Sequence, residues 1–113
     1  MPRDDAYLLD MLLAAREARD FASSLGIKGF RQNRMAQLAV LKAIEIVGEA
    51  ASRVSDAFAH EHPDIPWRAI VGMRNRLVHD YAGIDLDRVW ETVRNDIPTL
   101  IALLEPLVPP ETN

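Results

Sequence analysis

No stretch of this chain alternates apolar and polar residues with a period of two, whereas four stretches repeat apolar residues at helical spacing. The first runs from about Asp4 to Leu25, with Tyr7, Leu8, Met11, Ala15, Ala18, Ala22 and Leu25 on one face and Gly26 as a stop. Ile27 to Phe30 then reads as a loop. The second stretch, about Arg31 to His60, places Ala39, Ala43, Ile46, Val47, Ala50, Val54, Ala57 and Phe58 on one wide face. Leu38 and Leu41 fall opposite, so this helix calls for two partners, its own core and a second subunit. Pro63 excludes helical geometry just before it and ends the helix. The third helix starts around Asp64 to Trp67, with Asp64 as its cap and Pro66 in its first turn, and runs to about His79. The fourth starts at Asp85, with Leu86, Val89, Trp90, Val93, Ile97, Leu100, Ile101 and Leu104 as a narrow stripe. Pro98 interrupts it, which predicts a kink near Asp96 or two helices in one register. Short connections then give an up-down four-helix bundle in one all-α domain over 1–113, with 106–113 as a loose tail.

Composition narrows the function classes. Hydrophobic residues are 49% of 113, enough for the core of one domain. There is no cysteine, hence neither a disulfide frame nor a thiolate metal site. Met1-Pro2-Arg3-Asp4-Asp5 is too acidic for a signal peptide, and the apolar run from Ile97 is stopped by Glu105 before it could cross a membrane. A cytoplasmic protein without a membrane partner is the expectation. The net charge of −4 argues against a non-specific nucleic-acid coat. From Lys28 to Arg76, however, eight basic residues face five acidic ones, a local balance that permits a small phosphate site.

The chemistry concentrates in Pro66 to Tyr81. On an ideal helix Ile70, Val71, Leu77 and Val78 cluster within about 80° of Trp67, and Arg74 falls in their middle. An arginine on an apolar stripe must find a carboxylate, a phosphate or a subunit cleft. A structural ion pair to Glu49 or to an acid of the fourth helix is the plain alternative. His79 lies about 140° from Arg74, beside Asn75, Arg68 and Gly72, whose missing side chain leaves room for an imidazole. The plain reading of His79 is a cation at a helix C-terminus, and of Tyr81 a packed ring with a wet hydroxyl.

Arg74, four residues, His79, one residue and Tyr81 form an R-x4-H-x-Y pattern that resembles the HepT toxins of the HEPN ribonuclease superfamily. The resemblance extends to Ile46-Val47-Gly48-Glu49-Ala50, to Pro66-Trp67 and to Gly83-Ile84-Asp85. It implies a homodimer with both motif copies on a shared cleft, with Arg74 and His79 in the catalytic positions. It also implies that Tyr81 takes the position that a partner nucleotidyltransferase antitoxin of the MNT type modifies with AMP. Asn75 and Arg76, inside the motif, are candidates for positioning the RNA substrate.

The residue types suit that chemistry. An imidazole with a pKa of about 6.5 can take or give the 2′-hydroxyl proton of RNA near neutral pH. A guanidinium can hold the phosphate and stabilise charge developing on its oxygens. Neither a metal nor another cofactor is required. A two-fold dimer could bring the arginine of one chain to the histidine of the other, or the helix could unwind locally at its end.

Other patterns carry less. His60-Glu61-His62 lacks the i,i+4 spacing and third ligand of helical zinc sites and reads as a solvated helix terminus. Gly26-Ile27-Lys28-Gly29 is too short for a phosphate loop, and Trp67 and Trp90 read as core. The alternatives to a nuclease are a non-enzymatic nucleotide-binding or scaffolding companion of a nucleotidyltransferase, and a plain dimerisation module. A scaffold has no reason to place Arg74 on an apolar stripe near His79.

Overall fold

The computed structural model describes residues 3–78 and 83–109. Helix α1, Asp4–Ser23, buries Leu8, Met11, Leu12, Ala14, Ala15, Ala18 and Ala22, the face expected from its periodicity. Asp4 and Asp5 complement the dipole of its first turn. Asp4 also accepts from the Ser55 backbone N–H at 2.9 Å and from its hydroxyl at 2.7 Å. Ser55 lies just past helix α3, so α1 and α3 run antiparallel, and this pair forms the most extensive helix contact in the molecule.

Gly26, at φ 69°, turns the chain into a short helix α2, Gly26–Gln32, where a loop was expected from Ile27 to Phe30. Tertiary contacts hold it helical. Phe30 is fully buried, and the buried Gln37 donates to the Phe30 and Arg31 carbonyls at 2.9 and 3.1 Å.

The expected long second helix is two helices. Asn33 caps α3, Arg34–Arg53, by accepting from Ala36 N–H at 2.9 Å. Val54 is extended, and Ser55 then caps α4, Asp56–Glu61, instead of continuing the helix. The buried face of α3 carries Val40, Leu41, Ala43, Ile44, Val47, Ala50 and Ala51. Leu41, expected outside, is therefore core, while Leu38 and Ile46 are exposed.

The third column is also divided: α5, Trp67–Val71, and α6, Met73–Leu77, meet at Gly72. Asp64 does not cap α5, whose N-cap is Pro66. Instead the Trp67 indole donates to the His62 carbonyl at 3.0 Å and fixes the turn. The helix does not reach His79. Val78 is extended and bridges Ile84 in antiparallel fashion, and Asp85 N–H donates to the Leu77 carbonyl at 2.8 Å.

Asp85 then accepts from Arg88 N–H and caps α7, Leu86–Glu91. A π turn, Thr92–Asp96, leads directly into α8, Ile97–Leu104. Pro98 has no N–H to give the carbonyl four residues back, and its ring crowds that carbonyl. The backbone accommodates it by a wider winding, in which Ile97 N–H bonds the Thr92 carbonyl, at the place where a kink or a division into two helices of one register was expected. The predicted stripe of this column is buried at Val89, Val93, Ile97, Leu100, Ile101 and Leu104.

The fold is thus all-helical, in four columns: α1, α3, α5 with α6, and α7 through α8. The part of the expected loose tail that is described is docked: Glu105–Leu107 forms a 3-10 turn, and Leu107 and Val108 pack against the core. Among the described residues, no helix is long and apolar enough to cross a membrane.

Candidate functional site

The position of Arg74 follows from a glycine on another helix. A Cβ on Gly48 of α3 would lie 3.2 Å from the Ile70 carbonyl oxygen and 3.4 Å from that of Val71. The α5 backbone therefore rests directly on α3, a close approach that glycine permits. Ile70, Met73 and Leu77 point into the core from this platform and set the rotation of α5 and α6.

That rotation differs from the expected one. Trp67 leaves the stripe to pack edge-on against Phe58, which also stacks on His62 at 4.3 Å. Val71 faces out, and Val78 has left the helix. Arg74 consequently sits on the surface and not amid apolar side chains, with its side chain 48% exposed. Its Nε lies 3.4 Å from Oε1 of Glu45 on α3. Glu49, the carboxylate weighed from sequence, is taken by Arg53 at 3.2 Å. Hydrogen bonds that it donates to Glu49 first, and to Tyr7, hold the Arg53 guanidinium above its ordinary pKa.

Glu45 holds Arg74 by one edge only. Among the described residues, the terminal nitrogens of the guanidinium have no partner, so its fork is open to an incoming anion. Arg76 donates to the Ala69 carbonyl at 3.1 Å and borders two hollows between α6 and the last column. Asn75 is exposed on the same short helix. His79 and Tyr81 lie outside the described residues, so their distances from Arg74 are not part of this geometry. Their flanks are well fixed by the Val78–Ile84 bridge and the Leu77–Asp85 hydrogen bond.

The remaining candidates fall elsewhere. His60 Nδ1 lies 3.0 Å from the Asp56 carbonyl at the end of α4, and His62 is stacked on Phe58. Among the described residues no three His, Asp or Glu side chains gather as a metal site would need. Trp67 and Trp90 are partly buried, the latter tilted against Phe30 at 5.6 Å between centroids. Sequence reasoning missed Glu45, which looks like any surface acid until Gly48 brings α5 and α6 across α3.

A family described as Ribonuclease HepT-like matches residues 11–107. A protein of Thermococcus cleftensis named "Probable ribonuclease HepT" is 38% identical over 101 residues, covering 89% of this chain and 92% of its own. A "Putative RNase" of Methanocaldococcus jannaschii is 37% identical over 95 residues, covering 84% and 87%. Another, from Caldanaerobacter subterraneus subsp. tengcongensis, is 30% identical over 94 residues, covering 83% and 84%. No solved structure matches significantly.

Proposed function

The chain belongs to the HepT-like ribonuclease family, and from that premise we propose that it is a metal-independent endoribonuclease, the toxin of a toxin–antitoxin pair. The observation that carries this reading is the guanidinium of Arg74: exposed and, among the described residues, tethered at Nε alone with its fork open. The pair with Glu45 positions the guanidinium while leaving its fork for the two oxygens of a phosphate.

In the proposed reaction the neutral imidazole of His79 removes the proton of a ribose 2′-hydroxyl. The 2′-oxygen bonds to the adjacent phosphorus, and the bond from phosphorus to the 5′-oxygen breaks. Arg74 holds the non-bridging oxygens, where negative charge builds up. The leaving 5′-oxygen takes a proton from an imidazolium or from water. The products are a 2′,3′-cyclic phosphate and a 5′-hydroxyl.

Because α6 ends at Leu77, His79 follows an extended residue and is free of the ideal-helix spacing that set it about 140° from Arg74. A homodimer remains the fuller reading. Leu38 lies two helical turns before Glu45 on the same column, and Met35 and Ile46 of α3 and Val71 of α5 are exposed too, Met35 by 81%. A second copy would cover these side chains and bring two motifs to one cleft.

Control would fall on Tyr81. A nucleotidyltransferase partner that attached AMP there would add a phosphodiester charge and a bulky base two residues from His79. The charge repels an approaching RNA phosphate, and the adenosine occupies its space.

The test is cleavage of RNA by purified Arg74→Ala and Arg74→Lys. Arg74→Ala should lose about 100- to 1000-fold in rate, and Arg74→Lys should recover part of it, because the charge returns without the fork. A folded Arg74→Ala protein that cleaves like the wild type contradicts the proposal.

A further inference from the structure

The π turn shapes a chamber beside the motif that the cleavage chemistry does not use. It lies between α6 and the last column and has a volume of about 230 Å³. Leu77, two residues ahead of His79 in the chain, forms an apolar wall. Arg76 reaches in from α6, Arg88 and Glu91 from α7, and Asn95 and Asp96 from the π turn itself. Among the described residues, the side chains of Arg88, Glu91, Asn95 and Asp96 have no hydrogen-bond or ion-pair partner. Charges of both signs thus face one hollow without neutralising each other. Single-turn π segments inside α-helices are often found at functional sites.

The lining decides what chemistry fits. A phosphate gains little here, because two carboxylates offset two guanidiniums, and a metal cation is opposed by the same guanidiniums. A neutral ligand with donors on one edge and acceptors on another can use every group. The volume, smaller than the usual 300–1,000 Å³ of a small-molecule site, suits one planar heterocycle. RNA-binding proteins read splayed-out bases in this way, by stacking on guanidinium planes and by hydrogen bonds to base edges.

Resting on the nuclease reading of the adjacent motif, the geometry points to this chamber as the subsite that reads one RNA base, and to guanine as that base. Guanine O6 and N7 accept from a guanidinium, while its N1–H and N2 amino group donate to a carboxylate. Arg88 and Glu91, one helical turn apart on α7, supply such a donor and acceptor from one face. Guanine is the base that offers a guanidinium two acceptors and a carboxylate two donor groups at once; uracil has a single N3–H for the carboxylate, and adenine and cytosine a single amino group. The subsite selects which nucleotide is presented to Arg74 and His79, and it does no chemistry of its own.

The test measures binding apart from cleavage. Fluorescence anisotropy would follow 2′-O-methyl oligonucleotides, which lack the attacking hydroxyl and differ only in one central base. The wild type should bind the guanine oligonucleotide about tenfold more tightly than the other three, about 1.4 kcal/mol. Glu91→Gln and Arg88→Ala should each erase most of that preference. Arg94→Ala, whose guanidinium lies over the Trp90 ring outside the chamber, should keep it. Equal affinity for the four bases, or a guanine preference that survives both chamber substitutions, overturns the assignment. Guanine-selective binding by a protein that fails to cleave RNA upholds the subsite and counts against the nuclease reading instead.

Discussion

Replacing Gly48 by alanine tests whether the α3 platform positions the site. In an open helix interior this change stabilises by about 1 kcal/mol, through helix propensity. Here the added methyl would stand 3.2 Å and 3.4 Å from two backbone carbonyl oxygens of α5, which have no side-chain freedom with which to yield. Overpacking of this kind costs about 1–3 kcal/mol, so the sum is a net loss of about 1 kcal/mol. For a domain near this size, a loss of about 1 kcal/mol lowers Tm by about 4–8 °C. Thermal and urea unfolding would measure it. Because α6 follows α5, the displaced backbone should also carry Arg74 away from Glu45 and lower RNA cleavage by more than the unfolded fraction explains. A Gly48→Ala protein that is more stable than the wild type and fully active would refute this reasoning.

Other substitutions separate scaffold from site. Phe30→Ala removes a fully buried ring and should cost about 3–5 kcal/mol in urea unfolding. Gln37→Ala leaves the end of α2 without its side-chain donor and should cost about 1–3 kcal/mol. Glu45→Gln should change stability by less than about 1 kcal/mol, because the pair with Arg74 is exposed. Under the proposed control, Tyr81→Phe should inhibit growth even when produced with a nucleotidyltransferase partner, whereas intact mass of the co-produced wild type should show added AMP; additions on another residue would contradict this control.

Apolar periodicity made the four columns legible because the core sets it. Leu8, Met11, Ala15, Ala18 and Ala22 of α1, and Val89 to Leu104 of the last column, occupy the faces that helical spacing predicts. The breaks were not legible, because they rest on contacts between distant residues. Ser55 caps α4 while bound to Asp4, 51 positions away, and Val78 leaves the helix to meet Ile84. Pro98 marked where the last helix must adjust, but not that a π turn would absorb its missing N–H. At the site, the motif spacing singled out Arg74, but the ideal-helix projection counted Trp67, Val71 and Val78 as one stripe. Gly72, Phe58 and Ile84 each draw part of that stripe elsewhere, so Arg74 lies at the surface. The chamber on the π turn had no signature in the sequence, because its side chains come from α6, α7 and the turn between α7 and α8.

The most direct measurement is cleavage of a labelled RNA in excess EDTA by the wild type and by His79→Ala, with folding of both checked by circular dichroism and the product ends identified by mass spectrometry. The account predicts cleavage by the wild type with chelator present, 2′,3′-cyclic phosphate and 5′-hydroxyl ends, and a folded His79→Ala protein slower by about 100- to 10,000-fold. Loss of wild-type activity in EDTA, or undiminished cleavage by folded His79→Ala, would contradict it.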